Sequence, residues 1–121
     1  MIYVGTDIVP IIRIKKNIEE NKDRFLGHIF TAIEQKICND KATPSIHYSG
    51  KFAAKEAIKK ALLSSKIIYN ISLKSIEIIN DDLGAPLINI DCADIDVDPE
   101  NLKVSISHAG EYATSTAILE L

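Results

Sequence analysis

An aspartate inside an apolar N-terminal segment is the first residue of the chain that could do chemistry. Asp7 lies within residues 1–9, MIYVGTDIV, whose other side chains are mostly apolar and often β-branched. This pattern predicts a strand that is buried on both faces and stopped by Pro10. An ionised carboxylate in that setting must be compensated. Asp7 is therefore either bonded to a helix N-terminus or a lysine, or is a ligand of a hard cation such as Mg²⁺.

A second carboxylate lies in a segment with helical spacing, residues 51–61, KFAAKEAIKKA. One face carries small side chains that let a neighbouring backbone approach closely, namely Ala53, Ala57 and Ala61. Another face carries a basic stripe, namely Lys51, Lys55 and Lys59. Glu56 falls between the two faces, where it could look into a cleft with lysines beside it for phosphates. The alternative is a surface ion pair between Glu56 and Lys60, beside a solvated lysine face.

A histidine ends a predicted strand in the second half of the chain. His108 follows the alternating segment 104–107 and precedes a turn, a place where ligand-facing residues tend to lie. A lone histidine is more often structural, and neither His28 nor His47 forms a zinc-binding spacing. The chain also lacks the common hydrolase, P-loop and dinucleotide-binding motifs.

Three helices are predicted in the first half to position these groups. Isoleucine spacing indicates the first helix, and a capping-box pattern at Thr31 and Glu34 indicates the second. Thr43 as N-cap, followed by Pro44, indicates the start of the third. The helices are predicted over residues 11–18, 31–38 and 44–64, with polar segments over 19–24 and 39–43 between them.

Antiparallel strands are predicted in the second half. The sequence Asp81-Asp82-Leu83-Gly84 indicates a turn between two apolar segments, which is typical of a β-hairpin. The strands are predicted over residues 75–79, 86–90, 102–107 and 111–121, with an acidic loop over 91–100. Together the elements predict an α+β fold in which helices pack on an antiparallel sheet, as a single domain spanning residues 1–121.

Composition limits the class of protein. With 121 residues, 46% of them hydrophobic, the chain can bury the core of one domain, which excludes a disordered tail or a multidomain machine. The sequence has no apolar run long enough for a membrane span and no leader pattern, and Cys38 and Cys92 indicate neither a zinc site nor a disulfide framework. We expect a cytoplasmic protein without a membrane partner.

Charge is unevenly distributed along the chain. Residues 1–60 carry a net charge of +4 and residues 61–121 a net charge of −7. Such a division could gather a phosphate-bearing ligand or an acidic partner. The total of −3 argues against a general nucleic-acid binder.

Four short motifs occur in one order along the chain. They are GTDI at residues 5–8, FAAKEA at 52–57, the turn from Asn80-Asp81 through Gly84 and Pro86, and SISH at 105–108. In order and spacing, over essentially the whole chain, they resemble the holo-acyl-carrier-protein synthases, the small bacterial branch of the 4′-phosphopantetheinyl transferase superfamily. That family transfers phosphopantetheine from coenzyme A to a serine of apo acyl carrier protein in fatty acid biosynthesis, with Mg²⁺, and releases 3′,5′-ADP.

The resemblance implies a role for each candidate residue. Asp7 and Glu56 match the family's Mg²⁺ carboxylates, and Lys55 matches a lysine beside the diphosphate, so these three are the catalytic candidates. Arg13 lies in the first helix, whose positive groups in this family meet the acidic helix of the carrier protein. The residues that match the coenzyme A site are Lys51, Lys55, Gly84, Pro86 and His108.

The implied reaction is attack of the carrier serine on the β-phosphorus of coenzyme A, while Mg²⁺ and Lys55 neutralise charge on the diphosphate. Glu56, Asp7 and a Mg²⁺-bound water are all candidates for the base that takes the serine proton. The resemblance also implies a homotrimer with active sites between protomers. The alternative function is a non-catalytic module of the same fold that binds coenzyme A or a carrier protein. Retention of both Asp7 and Glu56 favours the enzyme.

Overall fold

The computed structural model describes residues 1–93 and 95–121 as three helices packed on antiparallel strands. The helices are α1 (Ile11–Ile29), α2 (Ala32–Asn39) and α3 (Pro44–Ser65). The strands are β1 (Ile2–Pro10), β2 (Ile76–Asn80), β3 (Pro86–Ile90), β4 (Leu102–Ala109) and β5 (Tyr112–Glu120), with 3₁₀ turns at Leu73–Ser75 and Pro99–Asn101. The predicted α+β fold is confirmed.

The strands form two sheets. One has the order β1-β5-β4 and the other is the hairpin β2-β3, and all pairs are antiparallel. Helix α3 packs across the inner face of the three-stranded sheet, where its small side chains meet β1 and β5. Ile76 and Ile78 of the hairpin belong to the same core as the C-terminal half of α3. Helix α3 is thus the element that every part of the fold is built around.

Gly5 lets β1 lie directly on α3. A Cβ atom at Gly5 would lie 1.9 Å from the carbonyl oxygen of Ala57 and 2.8 Å from the amide nitrogen of Ala61. No side chain larger than hydrogen fits there without moving one of the two backbones. The close approach predicted for the alanine face of α3 is therefore confirmed, and it brings the neighbouring Asp7 against the same helix.

The prediction that β1 is buried on both faces is wrong. Its outward side chains Ile2, Val4 and Ile8 are 62%, 55% and 64% exposed, whereas Gly5 and Val9 on the inner face are buried. The reason is that α3 covers only one face of the three-stranded sheet. The apolar outer face of β1 is left open in the single chain.

The polar segment 19–24 is also not the loop or frayed helix end that its composition predicted. Helix α1 continues through it to Ile29, with non-helical backbone angles only at Asn21 (φ −144°, ψ 52°). The apolar residues Leu26 and Phe25 beyond this kink pack into the core around Phe30 and Tyr48, which stabilises a second helical stretch. Tertiary packing therefore overrides the weak local pattern.

The remaining elements follow the sequence closely. Thr31 and Glu34 form the predicted capping box at the start of α2, with Thr31 Oγ1 accepting from the Glu34 amide at 3.3 Å and Glu34 Oε1 accepting from the Thr31 amide at 2.9 Å. Thr43 precedes α3 as predicted, but its side chain makes no capping hydrogen bond. The hairpin lies within one residue of its predicted bounds.

Candidate functional site

Asp7 and Glu56 lie along one edge where β1 meets α3. Asp7 shares the inner face of β1 with Gly5 and Val9, and its side chain is 18% exposed. Lys60 donates to Asp7 Oδ1 at 3.2 Å and to the carbonyl oxygen of Thr6 at 2.9 Å. Glu56 is one helical turn before Lys60, so both lie on the same flank of α3. We call Asp7 and Glu56 the carboxylate edge.

The ion pair considered from the sequence between Glu56 and Lys60 does not form. Lys60 pairs with Asp7 instead, as the structural interpretation of Asp7 allowed. Among the described residues, no hydrogen bond or ion pair engages the half-buried Glu56 carboxylate. Its oxygens are therefore available to a ligand.

Two carboxylates with hard oxygen donors suit Mg²⁺, which usually takes one or two protein carboxylates and completes its shell with water and substrate phosphates. Within residues 1–93 and 95–121 there is no cluster of three or more His, Cys, Asp or Glu side chains that could hold a metal by protein ligands alone. The Lys60 ammonium beside Asp7 is a cation that this carboxylate already accommodates. The donor set fits a magnesium ion shared with a substrate.

Lys55 points away from the carboxylate edge and is completely buried. Its Nζ donates to Glu34 Oε1 at 2.6 Å and to the carbonyl oxygens of Ile29 at 2.8 Å and Leu73 at 3.1 Å. These three bonds use all the donors of the ammonium group. Burial lowers the pKa of Lys55, and the Glu34 carboxylate opposes that shift. The structure therefore does not bring Lys55 to a place where a diphosphate could reach it.

The predicted lysine stripe is not a solvated face, because Lys51 is buried as well. It is 5% exposed, and its Nζ donates to the carbonyl oxygen of Ile78 in β2. Burial lowers the pKa of Lys51. Lys59, in contrast, is half-buried, since the stripe turns toward the surface along the helix.

A cleft of about 660 Å³ lies between α3, the β2-β3 hairpin and β4. It brings together four residues that the resemblance assigned to coenzyme A, namely Lys51, Gly84, Pro86 and His108. Gly84 has a φ of +88°, a conformation that favours glycine, and it shapes the hairpin turn beside Pro86. Asp81 Oδ1 accepts from the amides of Leu83 and Ala85, which holds this turn in place.

Two further basic residues line the cleft, and the sequence analysis missed them. They are Lys41, just before α3, and His47 in its first turn. Burial and the positive charges of Lys41, His108 and Lys51 lower the pKa of His47. The signal available in the sequence was the i, i+4 spacing of His47 and Lys51, which places both on one flank of α3.

The cleft and the carboxylate edge lie at opposite edges of the sheet. Ile106 of the cleft pairs with Ser115 of β5, which pairs with Asp7 on its other side, so the two strands are separated by about 10 Å. Helix α3 lies between the two regions. Arg13 is exposed on α1 and does not line the cleft. The single chain therefore places the carboxylate edge and the cleft in two separate regions.

A family model for the 4′-phosphopantetheinyl transferase superfamily matches residues 3–117. The chain belongs to this superfamily. The match includes the carboxylate edge and the cleft, and the predicted resemblance is confirmed. Within the described residues, no helix is long and apolar enough to cross a membrane.

Named relatives match over nearly their whole length. The chain is 40% identical over 117 residues to a holo-[acyl-carrier-protein] synthase of Protochlamydia amoebophila, which covers 95% of this chain and 94% of that protein. It is 38% identical over 118 residues to a holo-[acyl-carrier-protein] synthase of Chlamydia pneumoniae, with 98% and 96% covered.

Solved structures of the superfamily share the fold. A Chronobacterium ammoniagenes chain from an ACPS-CoA complex superposes with a TM-score of 0.85 at 26% identity, covering 99% of this chain and 97% of that chain. A Helicobacter pylori holo-[acyl-carrier-protein] synthase in complex with coenzyme A gives a TM-score of 0.78 at 31% identity, with 97% and 99% covered. Both of these chains were solved with coenzyme A.

Proposed function

We propose that this protein is a holo-acyl-carrier-protein synthase. It transfers the 4′-phosphopantetheine group from coenzyme A to a serine of apo acyl carrier protein, for fatty acid biosynthesis, and releases 3′,5′-ADP. The observation that carries this function is the overlap of nearly the whole chain with relatives of that activity and with a chain solved in a coenzyme A complex. The proposal treats residues 1–121 as one catalytic domain.

In this proposal Asp7 and Glu56 hold the Mg²⁺ ion on which the reaction depends. Their oxygens are hard donors on one flank of α3, and Glu56 is not engaged by another described side chain. When bound, the ion would reduce the negative charge of the diphosphate. Lys60 would then exchange its contact with Asp7 for solvent or substrate, which its 52% exposed side chain allows.

The cleft would bind the nucleotide end of coenzyme A. Lys41, His47 and His108 supply positive or protonatable groups for phosphates, and Pro86 and Ile106 supply apolar walls. Among these groups His108 is exposed and is the last residue but one of β4. Arg13 and the other basic residues of α1 would meet the acidic helix of the carrier protein through charge complementarity.

The separation of the two regions supports a homotrimer with active sites between protomers. One chain's carboxylate edge would face the cleft of its neighbour, which joins the two incomplete sites into a complete one. The outer face of the three-stranded sheet supplies an apolar surface for such an assembly, with Ile2, Val4, Ile8 and Ile118 exposed.

The chemical step forms one phosphorus–oxygen bond and breaks another. The carrier serine oxygen forms a bond to the β-phosphorus, the bond from that phosphorus to the bridging oxygen breaks, and 3′,5′-ADP leaves with the electron pair. The serine proton passes to a base, for which Glu56, Asp7 and a water held by the ion are the candidates.

We place this reaction in the cytoplasm. Both cysteines are free thiols, Cys38 buried and Cys92 half-buried, as in most proteins of a reducing compartment. Burial raises the pKa of Cys38 to about 11, which keeps that thiol protonated and unreactive.

The experiment that tests the function is intact-mass analysis of apo acyl carrier protein incubated with this protein, coenzyme A and Mg²⁺. We expect a mass gain of one phosphopantetheine. We expect EDTA to abolish this gain, because without the metal ion the negative charge of the diphosphate is not neutralised beside the carboxylate edge. Transfer that persists in EDTA would contradict the metal dependence. Coenzyme A binding without any transfer would instead support the non-catalytic module.

A further inference from the structure

Strand β2 has a free edge, and two buried side chains close it. Because β2 pairs only with β3 within residues 1–93 and 95–121, alternate backbone groups of β2 point away from its partner. At Ile78 the amide donates to Glu34 Oε2 at 2.9 Å, and the carbonyl oxygen accepts from Lys51 Nζ. Side chains of α2 and α3 thus replace the strand that would otherwise satisfy Ile78.

Lys55 completes this arrangement from the centre of α3. Its ammonium group bonds Glu34 and the carbonyl oxygen of Leu73, in the 3₁₀ turn that leads into β2. Glu34 is itself fixed by the Thr31 amide, and Thr31 Oγ1 donates to Glu77 of β2 at 2.6 Å. The ion pair between Lys55 and Glu34 is 0% exposed at both side chains.

The hairpin held in this way forms one wall of the cleft. Ile78 is two residues before Asn80, and the hairpin residues that line the cleft are Asn80, Asp81, Asp82, Gly84 and Pro86. The opposite wall is α3, from which Lys51 bonds Ile78 of β2 and Lys55 bonds Leu73 in the turn that leads into β2. The bonds at Ile78 and Leu73 therefore set the spacing between the two walls.

We propose that Glu34, Lys51 and Lys55 form a clamp that fixes the β2-β3 hairpin against α3, and that Glu34 and Lys55 are positioning residues for the coenzyme A cleft. Lys55 acts through Glu34 and the backbone, without contact to the diphosphate. Glu34 gains a role beyond its capping box. This inference deepens the proposed function and rests on it for the identity of the cleft's ligand.

The first test is rescue by removing both charges of the ion pair. Lys55→Met alone leaves the Glu34 carboxylate buried and unpaired, and Glu34→Gln alone leaves the Lys55 ammonium unpaired, so both single variants lose thermal stability. The double variant Glu34→Gln with Lys55→Met removes both charges of the ion pair and leaves Lys51 as the buried charge of the clamp, and a glutamine oxygen can still accept from the Ile78 amide. We expect the double variant to recover stability, and turnover within about tenfold of the wild type.

The clamp also predicts how the kinetic constants divide. Because the clamp sets the width of the cleft, the residual defect of the double variant falls on KM for coenzyme A more than on kcat. If Lys55 contacts the reacting diphosphate, the folded double variant instead loses about 100-fold or more in kcat. That result would overturn the proposal.

A second measurement uses the wild-type protein and does not depend on any variant folding. Free protein is treated with an amine-acetylating reagent, and the modification of each lysine is followed by mass spectrometry. We expect Lys55 to stay unmodified with or without coenzyme A, while Lys60, with a 52% exposed side chain, reacts readily. Reaction of Lys55 at the rate of Lys60, with protection by coenzyme A, would refute the clamp.

These outcomes separate the clamp from the proposed function. If the wild type transfers no phosphopantetheine, the proposed function fails. The labelling of Lys55 and the recovery of stability in the double variant still decide whether the clamp exists. If transfer is normal but Lys55 is labelled, only the clamp fails.

Discussion

Asp7 and Glu56 are held differently, although the same role is proposed for both. Asp7 is paired with Lys60, whereas Glu56 has no such partner among the described residues. A substitution at Asp7 therefore removes an ion pair at the surface as well as a proposed metal ligand. Loss of that ion pair lowers the free energy of unfolding by at most about 1 kcal/mol, because Lys60 is half-exposed and solvent screens the pair.

The variants Asp7→Asn and Glu56→Gln should each lower turnover by about 100-fold or more, because each removes one of two carboxylates that would hold the ion. Mn²⁺ binding followed by electron paramagnetic resonance should weaken in both. Glu100→Gln is a matched control, since its carboxylate is 85% exposed and, among the described side chains, pairs only with Lys103. Normal turnover of either site variant at ordinary Mg²⁺ concentrations would rule out the metal assignment.

His47 should take up a proton when the cleft binds a phosphate. Burial and three positive neighbours lower its pKa in the free protein, so His47 is largely neutral near pH 7. A bound phosphate offsets those charges and raises the pKa of His47. Affinity for 3′,5′-ADP should therefore increase as the pH falls below 7. Calorimetry in buffers of different ionisation enthalpy measures the uptake. His47→Gln should reduce it, and uptake unchanged in that variant would assign the proton elsewhere.

At the scale of elements, the contact between β1 and α3 is the most exacting in the fold. Gly5→Ala should destabilise the protein by about 3 kcal/mol or more, because the new Cβ meets two backbone atoms of α3 and neither can move alone. Gly27→Ala is the matched control, since a Cβ there meets nothing within 4 Å and alanine favours the helix. Urea unfolding of both variants measures the difference. Equal stability of the two would mean that β1 can shift away from α3.

Local patterns predicted most elements because the physics that decides them is local. The capping box of α2 and the turn of the β2-β3 hairpin need only residues close in sequence. The burial of Lys55 could not be predicted in this way, since its partners Glu34 and Leu73 lie 21 and 18 residues away along the chain. From the sequence alone a regular lysine stripe is interpreted as a solvated face, and only the fold brings the acceptors Glu34 and Leu73 to Lys55.

The candidate site shows the same division between local and distant information. The resemblance identified the carboxylates and the hairpin turn by motif, and the structure places Gly84, Pro86 and His108 along one cleft. The resemblance could not show that Asp7 lies at the opposite edge of the sheet from the cleft, because this depends on β5 pairing between β1 and β4. Strand order, rather than residue type, divides the site into two regions.

At the scale of the whole molecule, the separation of the carboxylate edge from the cleft bears on how the chains assemble. Because the proposed metal ligands and the proposed nucleotide cleft lie on opposite sides of one helix, the proposed reaction needs either a large rearrangement or a second chain. A rearrangement would have to move β1 relative to α3, although the backbones of Gly5 and Ala57 are already in close contact. A neighbouring protomer supplies the missing half without any change in fold.

Mixed trimers should therefore regain activity that neither parent has. We expect little turnover from Asp7→Asn, or from the double variant His47→Ala with His108→Ala. Co-expression with different tags and purification through both tags selects trimers that contain both chains. In such a ring one interface of the three joins an intact carboxylate edge to an intact cleft, so turnover should reach about a third of the wild type.

The control pairs Asp7→Asn with Glu56→Gln. Both changes lie on the carboxylate edge, so no interface in their mixed trimers is intact, and turnover should stay at the level of the parents. A site contained within one chain predicts that neither mixture recovers, because each chain then keeps its own defect. Recovery in the first mixture alone is consistent only with an active site that two protomers share, and sedimentation of the purified mixtures establishes that three chains are present.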